Sequence, residues 1–146
     1  MTREDQLTAV CLAGVAVFLL LVGVVSATTI RHAIQIAPIV VVLAAVARDT
    51  SWGPSAAIPL FVIWLLLMIL IWLYLLGFQT FFTGTFSVAE VILCVLIGVC
   101  SALGISAGVR STRRPSVAAR AVAMGSFAAL QVGAMWVSFL APFANR

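Results

Sequence analysis

Polar residues are rare enough in this chain that their positions mark out the apolar segments between them. From Leu60 to Leu76 the sequence runs seventeen residues without a charge, an amide, a glycine or a proline. Extended back to Ala56 and on to Phe78, that stretch makes a helix of roughly 34 Å, enough to cross a hydrocarbon core about 30 Å thick. Four further apolar runs flank it. They cover about residues 7–28, 33–47, 88–109 and 117–143, separated by short segments that hold nearly all the charge. The pattern predicts an all-α integral membrane protein, a single transmembrane domain over 1–146 built from five spanning helices. Runs of this length, without ten-residue alternating segments, argue for a helical bundle over a β-barrel.

Two of the runs need qualification. Val25-Ser26-Ala27 resembles a signal-peptidase site, but the apolar run before it exceeds the usual 7–15 residues and its leader is not basic. We read it as a retained first span. The run Ala33 to Ala47 reaches only about 22 Å and contains Pro38, which can break a helix. A bundle of four spans with this segment re-entrant is therefore the alternative to five.

Small residues predict which helices approach closely. On the fourth run Cys94, Gly98, Ser101, Gly104 and Gly108 fall within about 120° of arc. On the fifth, Ala118, Ala121, Gly125, Ala129 and Gly133 form a similar stripe. A short loop joins the two, so the expected product is a closely packed C-terminal helical hairpin. The bulky central helix, with Trp64 and Trp72, has no such stripe and is expected to show a broad face to lipid or to a partner.

Composition sharpens the class. Hydrophobic residues make up 64% of the chain and charged residues 8%, far from the roughly 25% charged content of a soluble domain. The net charge of +4 comes from eight arginines, without any lysine, against four acids. Because the arginines sit at the ends of apolar runs, they read as topology signals rather than as a nucleic-acid surface. With five spans, Arg3, Arg48, Arg110, Arg113, Arg114 and Arg120 share one side and Arg31 and Arg146 the other. The Arg110–Arg120 loop is thus expected to be cytoplasmic. Arginine in place of every lysine suggests a GC-rich bacterial genome, hence a bacterial inner membrane.

Candidate chemistry is sparse. Glu90 stands out, since a central acid costs about 2.5–3.5 kcal/mol to insert. It is nevertheless the third residue of its helix, and Ser87-Val-Ala-Glu90 has the spacing of a capping box. Gln131 lies near the middle of the last span, and Gln35 is the other intramembrane amide. Both are expected to hydrogen-bond to neighbouring helices, for about 0.6–2 kcal/mol each, or to line a polar path together with Glu90. The Arg110, Arg113, Arg114 and Arg120 cluster is expected to touch anionic headgroups. His32, the only histidine, lies beside Arg31 in a connection. No cofactor, metal ligand set or catalytic group is expected, and the three cysteines read as apolar fillers.

The functional expectation is a non-catalytic accessory or structural subunit of a membrane complex, or a self-associating bundle, with the bilayer, other membrane subunits or its own copies as partners. The alternative is a small oligomeric transporter or channel for a small solute or ion.

Overall fold

The computed structural model describes residues 1–78, 85–113 and 115–140. These form α1 (Arg3–Val25), α2 (Thr29–Ala47), α3 (Gly53–Leu75), α4 (Val88–Arg110) and α5 (Val117–Ser138). Among the described residues there is no strand, and all five helices are long and apolar enough to span a membrane. The helix break expected as an option at Pro38 is absent: α2 runs through it for 19 residues, long and apolar enough to span like the other four.

Local chemistry sets the helix ends. Thr2 Oγ1 accepts from the Asp5 amide at 3.2 Å while Asp5 Oδ2 accepts from the Thr2 amide at 3.2 Å. At the start of α4 the Glu90 amide donates to Ser87 Oγ at 3.3 Å and the Ser87 amide to Glu90 Oε2 at 2.7 Å. Each box satisfies helix-start N–H groups that have no carbonyl partner within the helix. Three helices end in a left-handed residue that turns the chain: Ala27 (φ 56°), Asp49 (φ 66°) and Gly77 (φ 80°). In each the next amide reaches back five residues, as from Thr28 to the Gly23 carbonyl at 2.7 Å. Only the last turn carries the glycine that announces such an end. The start of α2 accordingly lies four residues before the expected position, and Arg31 and His32 belong to its first turn.

α1, α2, α3 and α4 form a ring in which each helix packs on the next, and α5 lies outside it against α2 and α3. The tight α4–α5 hairpin expected from the two stripes does not form; α4 and α5 do not pack on each other. The small face of α4 receives the bulk of α3 instead. A Cβ on Gly104 would stand 2.3 Å from the Phe61 ring, one on Gly98 would stand 2.7 Å from Trp72, and one on Gly108 would stand 3.0 Å from Ile58. α3 is consequently not a lipid-facing rod along its whole girth. Phe61 and Trp64 are 1% and 2% exposed, while Leu66, Leu70 and Leu73 remain on its outer side.

The opposite flank of α4 meets α1, where a Cβ on Gly14 would lie 3.1 Å from Cys100 Sγ. Close approach of α1 and α2 depends on Gly23, whose Cβ position is 3.0 Å from both His32 and Thr29. α5 fully buries only Gln131 and Ser138. It is fastened by Phe127, stacked on Trp52 at 5.6 Å, and its stripe of Ala118, Ala121, Gly125, Ala129 and Gly133 faces outward.

One end of the bundle is joined by ions. Asp5, 1% exposed, accepts from Ser111 Oγ at 2.8 Å and from Arg113 Nε at 2.8 Å. Arg113 also pairs with the Asp49 carboxylate and donates to the Asp49 carbonyl, and the Met1 ammonium lies 3.5 Å from Asp49 Oδ1. The start of α1, the α2–α3 turn and the α4–α5 loop are thereby tied together. Arg113, expected from the sequence to touch headgroups, is engaged by two acids within the protein.

Gly104→Ala overpacks the Phe61 ring at about 1–3 kcal/mol, against about 1 kcal/mol gained in helix propensity. It should lower the thermal midpoint in detergent by roughly 2–6 °C, and Phe61→Leu added to it should restore most of the loss. Arg113→Gln should lower that midpoint more than Asp49→Asn, because only the former leaves the buried Asp5 without a counter-charge. The Arg113 guanidinium also holds Asp49 below the ordinary aspartate range. A depressed folded-state pKa stabilises above the unfolded value of about 3.9 and is lost as pH falls through the folded one. Acidification below about pH 4 should therefore destabilise the wild type more than Asp49→Asn.

Candidate functional site

At the end of the bundle away from Arg113 lies a cavity of about 350 Å³. All five helices contribute, through the last two turns of α1, the first two of α2, the N-terminal half of α4 and the C-terminal halves of α3 and α5. Its wall is mainly apolar, with Trp64, Leu67, Met68 and Ile71 of α3 opposite Leu19, Val22, Ile97 and Met135. Its polar groups come chiefly from α2, because the Gly23 contact brings the α2 first turn against α1.

A chain of short-range bonds positions them. Ser26 Oγ donates to the Val22 carbonyl at 2.7 Å and lies 2.6 Å from Thr28 Oγ1. His32 Nδ1 is 3.1 Å from both Thr28 Oγ1 and the Thr28 carbonyl. With Nδ1–H donating to that carbonyl, the ring is held in one orientation. Gln35 Nε2 donates to Ser138 Oγ at 2.8 Å, and Gln131 Nε2 donates to the Gln35 carbonyl at 3.0 Å. These two bonds fasten α5 to α2.

Arg31 is held differently. Its guanidinium carbon sits 3.8 Å from the centroid of the Phe139 ring, a cation–π placement, while its Nε is buried without an acceptor. No ion pair among the described residues reaches it. Glu90 lines the same cavity, but its Oε2 already accepts from both the amide and the hydroxyl of Ser87, each at 2.7 Å. The indole N–H of Trp64 likewise has no acceptor. One free cation, an engaged carboxylate, an oriented imidazole and an unmet N–H on apolar walls suit binding. Among the described residues no three His, Cys, Asp or Glu side chains gather as a metal site.

Of the residues singled out from sequence, Glu90 and Gln35 meet at this cavity, and Gln131 stands behind Gln35 at 0% exposure. Gly98, Ser101, Gly104 and Gly108 are buried in the core, whereas Gly125, Ala129 and Gly133 are exposed. Arg110 shares a second cavity of about 250 Å³ with Arg3 and Glu4. Arg120 is half-buried, and Arg114 lies outside the described residues. Sequence reasoning missed Arg31, His32 and Trp64 as site residues. The available signal was spacing: once α2 starts at Thr29, Arg31 and Gln35 are four apart and share a helix face.

No protein-family model, curated protein or solved structure matches this chain, so its function is read from the geometry alone.

Proposed function

We propose that this chain is a multi-pass protein of a bacterial inner membrane that acts without catalysis, as a structural unit associating with a second copy of itself through α5. The observation that carries this reading is the uncovered face of α5. Ala118, Ala121, Gly125, Ala129 and Gly133 are all exposed, and a Cβ on Gly125 or Gly133 would meet nothing within 4 Å. A face without side-chain bulk gives lipid little to pack against but lets another backbone come close. A two-fold axis along it sets the stripe of one copy against that of the other, with no charge within the stripe to desolvate. Six of eight arginines favour a cytoplasmic location for the end carrying Arg113. At that end Arg110 and Arg120 are the described members of the arginine cluster that this reading assigns to anionic headgroups.

Ala129→Leu with Gly133→Leu should convert a dimer to a monomer in mild detergent, read by light scattering on the eluting complex, with the thermal midpoint held because neither position packs within the protomer. An unchanged mass would sink this reading. A small oligomeric transporter is the second reading, favoured by the meeting of Glu90 and Gln35 at one cavity. It requires Glu90→Gln and Gln131→Leu to abolish complementation of a deletion strain. The structural reading expects both variants to complement.

A further inference from the structure

We infer that the cavity between the α2 first turn and α3 binds a single-chain amphiphile with an anionic head, the oxyanion pairing with Arg31 and the chain lying against Trp64 and Met68. The inference rests on the membrane placement proposed above and is independent of α5 association.

Charge bookkeeping points to the head. The chain has four acids, Glu4, Asp5, Asp49 and Glu90. The first three lie at the far end of the bundle, where Asp5 and Asp49 are engaged by Arg113. Glu90 is the one acid at the cavity, and Ser87 and the positive end of α4 already hold its charge. Arg31 therefore keeps a buried Nε without an acceptor beside an apolar wall. A carboxylate or phosphate is the group that a guanidinium fork binds best. His32 is oriented at the same mouth by Thr28.

The volume and the wall point to the rest of the ligand. About 350 Å³ is at the small end of ligand sites, which run from about 300 to 1,000 Å³, so it suits one chain rather than a two-chain phospholipid. Trp64, 2% exposed, brings to this wall an indole ring against which the chain lies, with Met68 one turn further along α3.

The test uses the whole protein in phosphatidylcholine nanodiscs, with quenching of tryptophan fluorescence by ω-bromoundecanoate and by the neutral bromoundecanol. Saturable quenching by the carboxylate at a concentration at least tenfold below that for the alcohol is expected, and Trp64→Phe should remove most of it. Arg31→Gln should abolish the preference for the acid, and Arg31→Lys should keep a reduced one. Cys94→Phe, which fills the cavity and leaves Arg31 in place, should abolish quenching by both probes. Laurate and dodecyl phosphate should each displace the probe, the tighter one naming the head; dodecyltrimethylammonium should not. Equal quenching by acid and alcohol, an acid preference that survives Arg31→Gln in a folded protein, or quenching that persists in Cys94→Phe would each overturn the proposal.

Discussion

The bundle depends on the fit of large α3 side chains into a groove of small α4 residues. In a bilayer, apolar surface gains little by leaving lipid for protein, so helices hold together by close packing and hydrogen bonds. Phe61 over Gly104, Trp72 over Gly98 and Ile58 over Gly108 meet that requirement along the length of both helices. With α3 on one flank and α1 on the other through Gly14 and Cys100, the small-residue face of α4 is taken, and what remains open is the bulkier side carrying Ile92, Val95, Val99 and Leu103.

What directs α5 elsewhere is the ionic joint at Arg113. This residue lies in the α4–α5 loop, and its partner Asp49 lies in the turn between α2 and α3. The pairing carries the loop across the end of the bundle and delivers α5 to the groove between α2 and α3. There Trp52 receives Phe127, and the Gln35 carbonyl receives Gln131. A buried carboxylate such as Asp5 is costly unless it is paired and hydrogen-bonded, and Ser111 with Arg113 meets both conditions. The joint thus sets topology, because the position of the last helix follows from which acid its preceding loop can reach.

The number and type of elements were legible in the sequence because apolar runs of this length have one solution in lipid. The capping boxes at Thr2 and Ser87 were legible because their residues are local. The neighbours of each helix were not. Two small-residue stripes joined by a short loop can satisfy each other, or one can be filled by bulk from a third helix, and spacing does not distinguish these outcomes. The start of α2 was obscured because Ala27, without a glycine's mark, takes the left-handed turn. That error placed Arg31 and His32 in a loop and hid the cavity they line. Glu90 and Gln35 stood out as polar residues in apolar runs, but their common cavity exists only once α2 and α4 pack around α1.

The two arginines at opposite ends of the bundle separate structure from site. Arg113 has its guanidinium divided between two acids, so it closes a joint and leaves no donor geometry unexplained. An arginine serving only as a membrane anchor would extend its head to water. Arg31 instead lays its guanidinium on Phe139 and buries Nε, with the cation–π contact offsetting only part of the lost hydration. Ser26, Thr28 and His32, which line the same cavity, bond to one another. Among the described residues nothing completes this charge, and the apolar wall next to it is what makes the inferred partner a greasy body with a negative head.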